Sequence, residues 1–224
     1  MADLSLPAPI EARDRQLTKD EIKSLWCATE QMEYPFCPFY RLLLLTGQRR
    51  EEVAGMEWSE LDADAATWTI PKERTKNNVA HIVHLSPQTL AVLATVTKVD
   101  DCPFVFSTTG KTPVSGYSNA KTKLDRLMGI TLDPEAHDFD PSKLWRVHDL
   151  RRTITSTLAE LGIATDVADR LLNHVSGSRA GVKGVYQRYE FLAERKRAIH
   201  LWGNYIENLV GSQSSSSNVV PFVA

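Results

Sequence analysis

Cysteine is scarce in this sequence of 224 residues, which contains three of them. Cys27, Cys37 and Cys102 are an odd number, and their spacing matches neither a redox motif nor a metal-binding motif. The scattered histidines do not complete a metal site either. We therefore expect buried thiols in a cytosolic protein.

Long hydrophobic runs are also absent. The longest, 42–45, is far shorter than the ~20 apolar residues that span a bilayer, so we interpret it as a core segment. The first residues carry neither the basic patch nor the apolar stretch of a secretory signal. These absences argue against a membrane partner and predict a cytoplasmic protein with one substantial core.

A basic excess is missing too, since the formal net charge is -2. Proteins that bind the phosphate backbone usually carry a surplus of lysine and arginine. The charges are segregated, however, with acids concentrated at 51–64 and 133–140 and bases at 72–76 and 146–188. Such segregation can produce one positive face, so the charge permits DNA binding without predicting it.

Hydrophobic periodicity predicts a mainly α-helical fold of the α+β class with a small antiparallel sheet. Thr18 and Glu21 form a capping box that opens the first helix, and Gly47 ends the second. The stretches 67–70 and 81–85 are rich in β-branched residues and predict two strands, joined by a hairpin loop at 72–78. Further helices are expected at 39–46, 51–56, 87–96, 116–128, 148–161, 165–173 and 191–210.

The domain organisation predicted from this pattern is simple. Residues 1–15 form a flexible lead-in, 16–210 a single domain, and 211–224 a flexible tail. The tail ends in an apolar tip at 219–223. This tip is either a docking segment for a neighbouring subunit or a disordered end.

Two short motifs place arginines next to helix ends. Arg49 follows Gly47, which allows the backbone to turn so that Arg49 points inward, with Glu52 one helical turn later to hold its guanidinium. The alternative is a helix C-cap with surface charges. His148 and Arg151 share one helical face and can reach one ligand, unless His148 only caps the helix and Arg151 only extends to solvent.

Three further residues, His174, Tyr186 and Lys76, are weak signals when each is taken alone. His174 ends an apolar helix, where a histidine is usually a cap. Tyr186 lies in a short predicted helix, and Tyr189, three residues later, shares nearly the same face, so periodicity does not separate them. Lys76 in the hairpin loop is by default a solvated charge.

Together and in this order, these segments resemble the tyrosine recombinase family, the phage-type integrases, over about 16–210. The similarity is greatest to the integrases of prophages and genomic islands. The family commonly has glycine where Asn173 stands, and asparagine tolerates the left-handed conformation better than most residues. The resemblance implies the catalytic domain of an integrase, with these catalytic residues: Arg49, Lys76, His148, Arg151, His174 and the nucleophile Tyr186.

The resemblance also implies the chemistry. The tyrosine oxygen attacks a DNA phosphodiester and leaves a 3′-phosphotyrosine intermediate, with His148 as base, Lys76 as general acid and Glu52 supporting Arg49. Arginines take the place of a metal, so neither a metal nor another cofactor is expected. The partners implied are double-stranded attachment-site DNA and further copies, a tetramer on DNA for the full-length enzyme. The DNA contacts expected beside the catalytic set are Arg74, Arg152, Arg179, Lys183 and Arg188.

Several alternatives stay open at this level. The fold could belong to an inactive DNA-binding module or to a topoisomerase of type IB chemistry. Lys72 or Arg74 could take the role of Lys76, and Tyr189 that of Tyr186. We also expect the chain to be a monomeric fragment of a longer bacterial or phage-derived integrase that is associated with the nucleoid.

Overall fold

We describe a computed structural model, in which residues 13–130, 133, 135, 140, 143–174 and 191–211 are described. Within these ranges the chain is mainly helical with one small antiparallel sheet, which confirms the predicted fold class. The helices are α1 (Lys19–Glu30), α2 (Phe36–Thr46), α3 (Arg50–Ala54), α4 (Pro87–Ala94), α5 (Tyr117–Leu127), α6 (Asp149–Glu160), α7 (Thr165–Leu171) and α8 (Leu192–Gly211).

The sheet has the strand order β1 (Leu61–Asp62), β2 (Thr67–Ile70) and β3 (His81–His84), and both pairs are antiparallel. Alternation along β2 buries Trp68 and Ile70, while the residues between and before them are more exposed. The two predicted strands are confirmed. Strand β1 was not predicted, because its two residues are too few to show the alternation of apolar and polar side chains.

Helix ends follow the local chemistry of their caps. The predicted capping box is confirmed, because the Glu21 amide donates to Thr18 Oγ1 at 3.2 Å and the Thr18 amide donates to Glu21 Oε2 at 2.9 Å. Helix α2 begins at Phe36, earlier than predicted. The reason is that Pro38 lies in the first turn, where an amide donor is not needed.

Helix α2 lies at the centre of the core and packs against α1, α4 and α8. The apolar segment Leu42–Leu45 is buried along its whole length, which confirms that it is a core segment. Trp202 of α8 is fully buried, and its indole N–H donates to the Leu44 carbonyl at 2.9 Å. This bond satisfies the indole while its ring fills the core, so α8 is fixed against α2.

The prediction that all three thiols are buried was wrong for two of them. Cys102 is buried, Cys37 is partly buried and Cys27 is exposed. Cys27 lies on α1 beside Leu25 and Ala28, which face the core, but its own position falls off that face. None of the helices in the described ranges is both long and apolar enough to cross a membrane.

The predicted lead-in is docked where it is described. The Arg15 guanidinium contacts the carboxylate of Glu21 at 2.5 Å and the carbonyl of Lys143 at 2.6 Å. Arg13 reaches the buried carboxylate of Asp149. Residues 1–12, most of the acidic segment 131–142 and the tail from 212 lie outside the described residues.

Candidate active site

The turn after α2 orients Arg49. Gly47 has a φ of 62°, which favours glycine, and a Cβ there would lie 2.8 Å from Leu172 Cδ2. Just beyond it, Glu52 accepts from the Arg49 amide and from its guanidinium, both at 2.9 Å. Glu52 is buried, whereas about a quarter (26%) of the Arg49 side chain is exposed. The predicted pair is thus present, and it holds a partly exposed guanidinium in one orientation.

Arg151 of α6 is buried rather than extended to solvent, so that alternative was wrong. Its guanidinium donates to the Gly47 carbonyl and, at 2.6 Å, to the Leu172 carbonyl. Its Nε–H has no acceptor within the described part of the chain. Burial and the nearby Arg49 lower the pKa of Arg151 to about 10, so it stays charged at neutral pH. A buried cation that also lines a cavity suits an anionic ligand.

His148 stands immediately before α6, and its side chain does not cap the helix, so the capping alternative was also wrong. Partial burial lowers the pKa of His148, and Arg151, Arg152 and His174 lower it further. The carboxylate of Asp149 opposes this shift. A ring with a lowered pKa is neutral at neutral pH and can accept a proton.

His174 is held in place from one side. Its Nδ1 lies 3.2 Å from Asp169 Oδ1, and its amide donates to the Asp169 carbonyl at 2.9 Å. Burial and Arg151 lower the pKa of His174, while Asp169 opposes them. The residue before it, Asn173, has a φ of 52°. It therefore has a left-handed backbone, which asparagine tolerates better than most residues.

Lys76 and Lys72 are both exposed in the hairpin, whereas Arg74 is engaged elsewhere. The Arg74 guanidinium binds the carboxylate of Glu60 and, at 2.6 Å, the carbonyl of Glu52. Arg74 thus fastens the base of the hairpin to α3. This geometry favours Lys76 over Arg74 as the residue offered to a ligand, and a DNA contact by Arg74 stays a prediction.

One cavity of about 710 Å³ collects the predicted residues from three separate segments. Its walls include these members of the predicted set: Arg49, Glu52, Arg74, Lys76, His148 and Arg151. His174 does not line the cavity, but it is close enough to lower the pKa of His148. Tyr186, its rival Tyr189 and the predicted DNA contacts Arg179, Lys183 and Arg188 lie outside the described residues.

The same cavity has lining residues that sequence reasoning missed. Lys121 Nζ lies 3.9 Å from the centre of the Trp145 ring and 2.5 Å from Asp125 Oδ2. The spacing of Lys121 and Asp125 on α5 is readable in the sequence as a helical ion pair. Lys121 also contacts Trp145, and this contact holds the segment that leads to His148. It cannot be predicted from the sequence, because it joins two distant segments.

A second missed residue is Asp149, which is fully buried. Its carboxylate accepts from the Arg146 amide at 2.8 Å, from Arg13 at 3.0 Å and from Arg152 at 2.8 Å. These bonds fix the turn that carries His148 at the start of α6. Arg152, a predicted DNA contact, is therefore also a structural partner of Asp149.

His81 of β3 is a buried histidine that serves the scaffold. Its Nε2 lies 3.1 Å from the carbonyl of Leu171, the last residue of α7. Burial and the nearby Arg195 lower the pKa of His81 to about 3, so the ring is neutral and Nε2–H can donate to this carbonyl.

Within the described part of the chain, no cluster of side chains is suited to a metal ion.

Comparison with known proteins agrees with this geometry. The phage integrase family profile matches residues 15–183, and the chain belongs to this family. The protein IntB of Escherichia coli (strain K12) is 28% identical over 183 residues, which cover 74% of this chain and 43% of IntB. The chain spans less than half the length of the curated relatives that it matches.

Two solved structures show the same fold. The catalytic core of lambda integrase is 20% identical, with a TM-score of 0.51, and the match covers 71% of this chain and 94% of that core. A lambda integrase tetramer bound to a Holliday junction is also 20% identical, with a TM-score of 0.54, and the match covers 76% of this chain and 49% of that chain. The fold is therefore that of an integrase catalytic core.

Proposed function

We propose that this chain is the catalytic part of a site-specific recombinase that integrates or excises a mobile element. Tyr186 attacks a DNA phosphodiester, a 3′-phosphotyrosine link forms, and the 5′-oxygen leaves. The observation that carries the proposal is the convergence of Arg49, Lys76, His148 and Arg151 on one cavity. The residues come from three separate segments, and together they supply the cations, the base and the acid that this reaction needs.

The roles follow from the contacts of each residue. Arg49 and Arg151 neutralise the non-bridging oxygens, because both are held in fixed orientations and both line the cavity. His148 accepts the phenolic proton. His174 donates Nδ1–H to Asp169 and, in its protonated form, which Asp169 and the bound phosphate favour, donates Nε2–H to a phosphate oxygen. Lys76 delivers a proton to the leaving 5′-oxygen. The arginines take the electrostatic role that a metal would have. The phosphotyrosine bond conserves the energy of the bond that breaks, so the reaction needs no nucleotide cofactor.

The proposed partners are double-stranded attachment-site DNA and further copies of the protein. The lambda integrase tetramer on a Holliday junction supports a tetramer as the active assembly of the full-length enzyme. We propose a cytoplasmic location, since the substrate is DNA. The proposed domain runs over 16–210, with the segments at 1–15 and 211–224 outside it. Both the inactive DNA-binding module and the topoisomerase are disfavoured by the family relationship.

The experiment that tests this function is covalent trapping. The chain is incubated with a nicked suicide substrate that carries its attachment site, and the adduct is identified by mass spectrometry of the DNA-linked peptide. We expect the unmutated chain and Tyr189→Phe to form the adduct, and Tyr186→Phe to form none. Absence of an adduct from the unmutated chain would falsify the proposal, and an adduct on Tyr189 would reassign the nucleophile.

The pH dependence of adduct formation follows from His148. This residue must be neutral to act as base, and burial together with Arg151 and Arg152 lowers its pKa from 6.5. The single-turnover rate should therefore persist down to about pH 6.5 and fall below that value. Arg152→Gln removes one cation, so the pKa of His148 should rise and the acidic limb should move to higher pH.

The control for this profile is Arg126→Gln, which changes an exposed arginine on α5 by the same charge. It should leave the acidic limb where it is. A limb above pH 6.5 in the unmutated chain, or one that does not respond to Arg152→Gln, would remove His148 from the role of base.

A further inference from the structure

A pair of amide side chains joins the hairpin to the end of α7. Asn77 Nδ2 donates to Asn173 Oδ1 at 2.8 Å, and Asn173 Nδ2 donates to Asn77 Oδ1 at 3.3 Å. Asn173 is buried and Asn77 is half-buried, so water competes weakly for these bonds. The two residues are 96 positions apart, which makes this a tertiary link and not a local turn.

Asn173 meets a backbone requirement and adds a contact. Its φ of 52° could be supplied by glycine, the residue that the family motif commonly has. Glycine has no side chain, so it could not reach Asn77. The Asn173 carbonyl also accepts from Arg49 Nη2 at 3.4 Å, and His174 follows it directly. Asn173 therefore contacts the hairpin with its side chain and Arg49 with its backbone.

The hairpin is held on both sides of Lys76. On one side Arg74 is bonded to Glu60 and to the Glu52 carbonyl. On the other side Asn77 is bonded to Asn173. The exposed Lys76 side chain has a long flexible stem, and ordering it for a reaction costs conformational entropy. Fixing the backbone on both sides leaves only the side chain of Lys76 to be ordered when DNA binds.

We propose that Asn173 is a positioning residue that, through Asn77, holds the hairpin so that Lys76 faces the phosphate site. The inference rests on the proposed function, because it assigns Lys76 a reacting partner. Loss of the bridge removes two neutral hydrogen bonds, which corresponds to about a tenfold loss in the rate that depends on Lys76.

The test compares two identical substitutions at two positive-φ asparagines. Asn173→Gly keeps the left-handed backbone and removes the bridge. Asn78→Gly is the matched control, since Asn78 has a φ of 54°, is exposed and lies on the same hairpin. Single-turnover adduct formation should fall about tenfold for Asn173→Gly and less than about twofold for Asn78→Gly. Equal rates for the two variants would overturn the proposal.

A sulfur-substituted substrate separates positioning from general damage. When the leaving 5′-oxygen is replaced by sulfur, the thiolate leaves without a proton because its pKa is much lower than that of an alcohol. Both Asn173→Gly and Lys76→Ala should then recover to within about threefold of the unmutated rate. Asn173→Gly combined with Lys76→Ala should be no slower than Lys76→Ala alone. A defect of Asn173→Gly that persists on sulfur would contradict a role through Lys76.

Hydrogen exchange of the hairpin amides tests the bridge without any reaction. Asn173→Gly should speed exchange at 76–79 by about tenfold, although the substitution is remote in sequence. Unchanged exchange would overturn the positioning role. Failure of the proposed function would give a different result. The unmutated chain would form no adduct, while the hairpin amides of Asn173→Gly would still exchange faster than those of the unmutated chain.

Discussion

Arg151→Lys is expected to slow adduct formation by about 100- to 1000-fold. Lysine keeps the positive charge but not the planar fork, so it cannot donate to the carbonyls of Gly47 and Leu172 and to a phosphate oxygen at once. The ammonium would be drawn to the buried carbonyls and away from the ligand. The rate loss should therefore appear in the chemical step. It is measured as the single-turnover rate of adduct formation at a protein concentration that saturates the DNA substrate.

The same substitution should also weaken the fold. At least one of the two buried carbonyls loses its donor, which costs about 2 kcal/mol of unfolding free energy in urea denaturation. Rates are therefore compared at a temperature at which both proteins are folded. The matched control is Arg152→Lys on the next residue, which can keep its ion pair with Asp149 and should slow the reaction less than about threefold.

One outcome would contradict this account of Arg151. If Arg151→Lys slowed the reaction no more than Arg152→Lys, the positive charge would be sufficient and the planar fork of Arg151 would not matter. Recovery of Arg151→Ala by added guanidinium ion, with no recovery by ammonium, would in contrast support the fork. The stability change alone does not decide between the two explanations, because it reports on the carbonyls and not on the phosphate.

The contacts of Arg151 also show what the sequence could predict and what it could not. The pairing of Arg49 with Glu52 is local, since the two residues are three positions apart and Gly47 before them predicts a turn. The partners of Arg151 are backbone carbonyls 104 and 21 positions away, and no residue type marks a carbonyl as a ligand. The side chain was therefore predicted, but not the two contacts that bury it.

The same division runs through the rest of the fold. Capping residues, proline and glycine mark helix ends because they act within one turn, and the errors at those ends are small. The structural role of Asp149 was not predicted, because one of the partners of its carboxylate is Arg13, which is distant in sequence. Asn173 stands out in the sequence as a departure from a motif, but nothing in the sequence marks Asn77 as its partner. Side-chain pairs between segments need the tertiary structure.

Gly47→Ala is expected to reduce the unfolding free energy by about 3 kcal/mol. Two costs add at this position. The φ of 62° is strained for alanine, and the new Cβ would lie 2.8 Å from Leu172 Cδ2 and 3.0 Å from Ile154 Cγ2. Both neighbours belong to the packed core between α6 and α7, so they have little room to move. Urea denaturation measures the loss, and adduct formation should fall because Arg49 follows this turn.

Gly116→Ala provides the control that separates the two costs. Gly116 has a φ of 84°, but its Cβ would meet nothing within 4 Å. Alanine there carries the backbone strain alone, about 1 kcal/mol, and should leave adduct formation unchanged. Gly47→Asn tests the other cost, because asparagine relieves the strain and keeps the clash. If Gly47→Asn were as stable as the unmutated chain, strain and not packing would account for Gly47, and the turn before Arg49 would tolerate a side chain.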